Sequence, residues 1–520
     1  MTIFTSPFGD IALRDQTITE RVLEGLAIRP EATALIDGPT GRRVTGTDLV
    51  AAIQSLAGGL AARGIGPGTV IGLMAPNIPE FVSCFHGIVY AGATVTTINP
   101  TYTAGEVRHQ LQDAGAHLLI TIPDFLPVAQ EALTGTAVEE IVVIGEAEGA
   151  VPLVSLMGAP LTAQVPVDLD DHIAVLPYSS GTTGLPKGVM LSHRNLVVNV
   201  DQFLGVVGIS AGEVTPAFLP FFHIYGLQVM VNVYLSAGAA IATLPRFDLE
   251  LFLRLTQDHR AERLWIVPPV AIALAKHPMV DEFDLSSVIQ VNSAAAPMGP
   301  ELGAAVQARL GCAVTQAYGM TELSPGSHVM AADGGRAGAV GRTLAGTSCR
   351  IVDPATGKDM GVDEEGELWV KGPQVMKGYL NNPRATAENI VEDGWLRTGD
   401  IGCIDADDYL YIRDRLKELI KVKGFQVAPA ELEGVLLDHV EIADAGVIGR
   451  ADPEAGEVPV AYIQRAPGSD MSAEAVKAHL AGQLAHYKHL ADVVFVDAVP
   501  KSASGKILRR MLRISDEKRG

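Results

Sequence analysis

Cysteine is scarce in this 520-residue chain: Cys84, Cys312, Cys349 and Cys403 stand far apart, with no Cys-x-x-Cys pair. Such spacing argues against a disulfide framework and a thiolate zinc site, and points to a reducing, cytoplasmic setting. Positive charge is also in deficit, with 39 Lys and Arg against 60 Asp and Glu and a net charge of −21. Phosphate backbones select basic surfaces, so nucleic acid is not an expected partner. An anionic substrate would have to be met by a local cationic pocket. The opening "MTIFTSPFGDIALRD" lacks a basic segment ahead of an apolar run, so no signal peptide is expected. The final "DEKRG" is not a peroxisomal-type tripeptide. Internal repeats and low-complexity segments are missing as well.

What is present is the composition of a large soluble enzyme, 48% hydrophobic and 19% charged, long enough for two or three domains. One stretch, residues 218–245, carries no Asp, Glu, Lys or Arg and is long enough to span a bilayer. Pro220, His223, Gln228 and Asn232 interrupt it, however, and no basic cluster flanks it. A helix buried between sheets gives the same pattern and is the expectation.

Short apolar runs at 69–75, 93–99, 117–121, 140–145 and 173–179 read as buried strands, and "NIPEFVSCFHGIVYAG" as a helix starting near Pro79. The alternation predicts an α/β architecture with substantially parallel sheets and ligands at the carboxyl ends of strands. From about Gly338 the texture turns glycine-rich with short β runs, which suggests an antiparallel subdomain. After residues 414–426 comes a compact α+β pattern of about a hundred residues. We therefore divide the chain into a large domain, 1–416, and a small one, 417–520.

The segment "LPYSSGTTGLPKGVM" (176–190) concentrates hydroxyls, glycines and a lysine in one turn. It is not a Walker A loop, because Lys187 lies between Pro186 and Gly188. Even so, Gly181 and Gly184 permit a tight turn with amide hydrogens aimed at an oxyanion. Ser179, Ser180, Thr182 and Thr183 add hydroxyl donors, and Lys187 adds a point charge. Ser192 is placed to cap the next helix. Taken alone, the segment reads equally as an ordinary surface loop.

Five further segments change that balance: "YGMTE" (318–322), "GELWVKG" (366–372), "GWLRTGD" (394–400), "DRLKELIKVKGFQ" (414–426) and "PKSASGKILRR" (500–510). With "YSSGTTGLPKGV" they resemble, in order and spacing, the motifs of the adenylate-forming enzymes: acyl- and aryl-CoA ligases, carrier-loading adenylation domains and beetle luciferases. "FFHIYGL" and "DRLKELIKVKGFQVAPAELE" look closest to the 4-coumarate–CoA ligase group. The resemblance implies a carboxylate attacking the α-phosphate of ATP, giving acyl-AMP and pyrophosphate, followed by displacement of AMP by the coenzyme A thiolate.

Residue roles follow from the resemblance. Lys506 matches the adenylation lysine, and an ammonium on a long stem can bridge carboxylate and α-phosphate. Gln316, Tyr318 and Gly319 match nucleotide-binding positions, with Tyr318 against adenine. Thr321 would donate to the α-phosphate, and Glu322 would hold Mg²⁺, a hard cation that prefers oxygen. Asp400 matches the acceptor of both ribose hydroxyls, with Arg415 beside it. Lys417 matches a hinge about which the small domain rotates between half-reactions. Lys421 and Gln426 would contact the nucleotide or assist catalysis. Lys423, Gly424 and Arg246 would face coenzyme A. His223 is expected to shape the site beside the acyl carboxylate rather than transfer a proton.

The positions matching a hydroxycinnamate pocket are Tyr225, Val229, Ala294, Gly319, Pro325 and Gly326. Ala294 stands where plant coumarate ligases tend to have glycine and narrows one wall. Gly326 stands where a larger aliphatic is common and is expected to open another. A hydroxycinnamate, another aryl acid and a medium-chain fatty acid all remain compatible, because a methyl or two shifts preference by only about 1–3 kcal/mol. A carrier-loading enzyme, a luciferase-like oxygenase and a nucleotide sensor share some of these motifs. The set Lys187, Glu322, Asp400 and Lys506 favours the ligase over the sensor.

Overall fold

The computed structural model describes residues 2–179, 186–333, 335–423, 425–502 and 505–519. The apolar runs of the first third form one largely parallel sheet. Its strands Glu140–Val143, Ala116–Thr121, Val70–Met74, Thr94–Thr97 and Ile173–Val175 lie side by side in that order. Lys187–Ser192 adds to the last of these antiparallel. The helix Pro79–Tyr90 begins on a proline, whose missing N–H is no loss in a first turn. Nearly all of that helix is buried, as its apolar composition requires. Ser192 caps the helix His193–Val207 and shares a reciprocal capping box with Asn195.

A second parallel group holds Val214–Ala217, Ala240–Thr243 and Thr33–Asp37. A third holds Arg263–Ile266, Gln290–Ser293 and Ala313–Gly319, after which Gly326–Val329 returns antiparallel. The expected α/β class is therefore the observed one. Two local expectations change. Residues 173–179 are not one strand but two, Ile173–Val175 and Tyr178–Ser179. Pro177 separates them, because it has no N–H to give to a ladder.

The charge-free stretch 218–245 is buried, as expected, but its central turns Tyr225–Val233 are wound as a π-helix. Two buried amides anchor it: Gln228 Nε2 donates to the Leu196 carbonyl at 2.6 Å, and Asn232 Nδ2 to Gln228 Oε1 at 2.7 Å. The polar residues that interrupt the apolar run thus join the π-helix to the helix His193–Val207. Among the described residues, no helix is long and apolar enough to cross a membrane.

The antiparallel sheet expected after Gly338 comprises Ser348–Val352, Gly366–Lys371, Trp395–Ile404 and Leu410–Arg415. Phe4–Thr5, from the far end of the chain, pairs with its first strand. Beyond residue 420 a separate sheet forms from Ile420–Val422, Phe425–Val427, Ile442–Asp452, Gly456–Arg465 and Asp492–Phe495. Its apolar cores share no residue with those formed by residues 4–410.

The π-helix starts under tight constraint, since a β-carbon on Gly226 would lie 2.7 Å from the Pro220 carbonyl carbon. Gly226→Ala is expected to cost about 1–3 kcal/mol through overpacking. Urea unfolding, read as a lower midpoint at unchanged slope, measures this.

Candidate functional site

The turn 319–325 is built by close approach. At Gly319 a β-carbon would stand 2.9 Å from the Pro325 carbonyl carbon, and Ser324 takes a left-handed φ of 69°. Met320 N–H closes the turn on the Pro325 carbonyl at 2.9 Å. The turn carries Thr321 and Glu322, both buried, from the end of the strand that holds Tyr318.

Asp400 comes from a different sheet and is only 5% exposed. Its carboxylate accepts from Tyr318 Oη at 2.5 Å and pairs with Arg415 Nε at 3.2 Å. Arg415 lies directly across the antiparallel ladder from Asp400. Burial and the Asp400 charge hold the Tyr318 phenol far above its ordinary pKa, so it stays a donor. Behind Tyr318, the ring of His328 makes an edge contact at 5.9 Å. Burial drives the pKa of His328 down to about 3, which keeps it neutral.

Glu322 accepts from Tyr379 Oη at 2.8 Å and from Ser179 Oγ at 3.3 Å. Lys187, paired with Ser179 across the short hairpin, sets its ammonium 4.8 Å from the centre of the Tyr379 ring. The acid expected to hold a metal and the lysine expected to hold phosphate thus meet on one tyrosine. Ser180, Gly181, Thr182, Thr183 and Gly184, the middle of the same loop, lie outside the described residues, as does Gly424.

Lys506 reaches this cluster from the small C-terminal unit. Its segment folds back on itself, with Lys506 N–H donating to Ser502 Oγ at 3.1 Å and Ser502 N–H to the Lys506 carbonyl at 2.8 Å. Gly505, at φ 80°, rests against Val267 and Pro269 of the large unit. Burial and the Arg415 charge pull the Lys506 pKa from 10.5 down to about 8, against the opposing pull of Asp400 and Glu322. His223 is also driven to about 3, by burial first and the Lys506 charge second. Its Nδ1 accepts from Tyr225 N–H at 3.2 Å, so the single ring proton of the neutral form sits on Nε2. His223 therefore stands near Thr321 as a neutral ring with its proton on Nε2, not as a base with a mid-range pKa.

Gln316, also expected near the nucleotide, accepts from Met298 N–H at 3.1 Å and so fixes the preceding loop. Lys417, Lys421, Lys423 and Gln426 are exposed around the hairpin that opens the small unit, with Lys421 directly opposite Gln426. Arg246 is exposed in the segment after the strand Ala240–Thr243. All five are exposed, in contrast to the buried Asp400, Tyr318 and Glu322.

Tyr225 and Val229 lie on the π-helix, and Tyr225 Oη donates to the Ile266 carbonyl at 3.4 Å. The same carbonyl accepts from Ala294 N–H at 3.2 Å, so two expected pocket walls hang from one backbone oxygen. Gly326 corrects the sequence reading. The space its missing side chain would leave is taken by Phe203, whose Cζ lies 2.6 Å from where a β-carbon would stand. A small cavity of about 30 Å³ adjoins the cluster, lined in part by Asn99, Gln110, Tyr178, His223 and Thr321. Tyr379 and Phe203 lie outside the sequence motifs, and Tyr178, which opens "YSSGTTGLPKGV", was given no role there. Tyr379 follows soon after the "GELWVKG" segment and could have been noticed there, whereas nothing local marks Phe203.

The chain belongs to the AMP-binding enzyme family. The model of that family matches residues 24–380, and the model of the AMP-binding enzyme C-terminal domain matches 431–506. Among curated relatives, 4-coumarate–CoA ligase 5 of Oryza sativa subsp. japonica is 42% identical over 98% of this chain and 97% of its own. The 4-coumarate–CoA ligase 2 of Nicotiana tabacum is also 42% identical, over 98% and 96%. Among solved structures, the anthranilate CoA ligase AuaEII in complex with anthranoyl-AMP superimposes with a TM-score of 0.89 at 26% identity, over 97% of this chain and 98% of that one. ATP-bound MatB from Rhodopseudomonas palustris gives 0.87 at 30% identity, over 96% and 99%.

Tyr379→Phe keeps the ring beneath Lys187 and removes the donor to Glu322. The expected result is a several-fold rise in KM for Mg-ATP with KM for coenzyme A unchanged, read from steady-state kinetics with each substrate varied in turn.

Proposed function

We propose that this chain is an acid–thiol ligase that activates a hydroxycinnamate-like aryl acid with ATP through an acyl-adenylate and passes the acyl group to coenzyme A. The observation that carries the reading is the approach of Lys506, from the small C-terminal unit, to the Asp400–Arg415–Tyr318 and Glu322–Tyr379–Lys187 groups. Similarity to 4-coumarate–CoA ligases along nearly the whole chain supports it.

Adenylation brings a carboxylate up to a polyphosphate, so its barrier is largely repulsion between anions. Lys506, sited between the two, neutralises both in the transition state. Lys187 and the hydroxyls of its loop would hold the β- and γ-phosphates that leave as pyrophosphate. Thr321 would donate to the α-phosphate. Asp400 would accept from the ribose, oriented by Tyr318 and Arg415. His223 would present Nε2–H beside the acyl carboxylate.

Among the described residues no group of three or more His, Cys, Asp or Glu could hold a metal. That fits Mg²⁺, which is commonly held by one or two carboxylates plus substrate phosphates and water. Glu322 is a buried hard-oxygen donor whose orientation is set by Tyr379 and Ser179. Bound there, the ion would screen the phosphate charge.

Thioester formation needs a different set of groups. Lys421, Lys423 and Gln426 stand exposed on the small unit, and rotation of residues 417–520 about Lys417 would exchange them for Lys506, while Arg246 would meet coenzyme A from the large unit. The medium-chain fatty acid reading rested on an open wall at Gly326, and the Phe203 ring at that place favours a flat aryl acid instead.

AMP release measured with Mg-ATP, coenzyme A and a panel of 4-coumarate, benzoate, octanoate and palmitate is expected to favour 4-coumarate. A preference for octanoate would overturn the aryl assignment. Lys506→Ala is expected to slow ATP–pyrophosphate exchange at least about a hundredfold while nucleotide still binds. Because the ammonium is the active form, kcat/KM for adenylation should fall as pH rises through about 8, where Lys506 loses its proton. Lys506→Arg should move that alkaline limb upward in whatever activity it retains.

A further inference from the structure

Gly326 is gripped from one side by a helix. On His193–Val207, Asn199 Nδ2 donates to the Gly326 carbonyl at 2.9 Å, and Asn199 Oδ1 accepts from Gly326 N–H at 3.3 Å. Asn199 is fully buried, so this clamp holds the strand Gly326–Val329 against the helix. Phe203 follows four residues later and thus shares the helix face of Asn199. Its ring lies where the side chain of residue 326 would project, with Cζ 2.6 Å from the β-carbon position.

Phe203 is 2% exposed and packs on Trp265, ring centres 6.3 Å apart and tilted by 57°. Trp265 precedes Ile266, whose carbonyl holds both Tyr225 Oη and Ala294 N–H. Phe203 is therefore packed into the frame that carries the other expected pocket positions, while lying more than a hundred residues from Gly326 in sequence. A β-carbon at 326 and a phenyl ring at 203 cannot both occupy this space without one of them moving.

We propose that Phe203 is a specificity-determining residue: its ring, admitted by Gly326, forms the wall that limits the far end of the acyl group. The inference rests on the acid–thiol ligase reading but not on the acid being a hydroxycinnamate. A rigid aromatic at this place sets a size limit that a flexible aliphatic at 326 would set less sharply. Such a wall acts on the ratio of kcat/KM between acids of different size, since one extra methylene in an apolar pocket is worth about 10–200-fold.

The test compares wild type, Phe203→Ala, Gly326→Val and the double variant in the full-length enzyme. Initial rates of AMP release are measured with cinnamate, 4-coumarate, ferulate, hexanoate, octanoate and decanoate. Phe203→Ala is expected to raise the ratio of larger to smaller acid within a series by about tenfold. Gly326→Val alone should lower kcat/KM for every acid, and the double variant should recover most of that loss. Phe203→Leu replaces Phe203→Ala if the latter does not fold, with a smaller shift in the same direction. A ratio unchanged by either substitution, or effects of the two sites that merely add, would overturn the proposal. If wild type turns over only alkanoates, the aryl assignment fails, while the hexanoate-to-decanoate ratio still decides the role of Phe203.

Discussion

Asp400 is the point where two separately built sheets of the molecule are tied together, beside the strand end that leads into the small unit. Its carboxylate takes a hydrogen bond from Tyr318, at the end of a parallel α/β sheet, while itself belonging to the antiparallel sheet. Its other oxygen pairs with Arg415, the last residue of the strand that leads into the small unit. A buried carboxylate left without such partners would cost several kcal/mol, so the pairings are as much structural as functional. Arg415 in turn raises the cost of protonating Lys506, while Asp400 lowers it. A change in how the small unit sits is therefore felt electrostatically at Arg415, Asp400 and Glu322.

The same economy governs the residues around Glu322. Tyr379 gives its hydroxyl to Glu322 and its ring face to the Lys187 ammonium, so one residue spaces a negative and a positive group about a single ring. Burial and the Glu322 charge keep its phenol protonated. Without that spacer, Glu322 and Lys187 could pair directly and blunt both charges. A neutral amphipathic ring that contacts both keeps the two charges apart.

Much of this was legible in the chain. Strand runs such as 69–75 and 117–121 announce themselves because a parallel sheet covered on both faces demands continuous apolar sequence. Pro79 and Ser192 mark helix starts for local reasons of backbone chemistry, and both do begin helices. Motifs around Lys506, Asp400 and Glu322 were visible because the chemistry needs particular residue types at particular turns. Long-range complementarity was not legible. Nothing near Phe203 signals a glycine at 326, and the opening expected at Gly326 followed from counting the atoms of one residue alone. The π winding at Tyr225–Val233 was equally hidden, because it depends on where Gln228 finds its acceptor, on a different helix.

The packing of residue 203 on residue 326, from different elements, has a consequence for how this place can change. Enlarging residue 326 by itself drives a side chain into Phe203, and shrinking residue 203 by itself leaves a cavity next to Trp265. Each single step carries a penalty that the paired step avoids, so the pair is held in place by packing. Asp400 and Glu322 are held differently, by charge and hydrogen bonding to residues of other strands. The two places are nonetheless coupled, because Gly326 pairs with Gly319 at the base of the turn that carries Thr321 and Glu322. A side chain that displaced the strand at 326 would therefore shift Glu322 as well as Phe203, which is a further reason for the glycine to be kept while the ring fills its space.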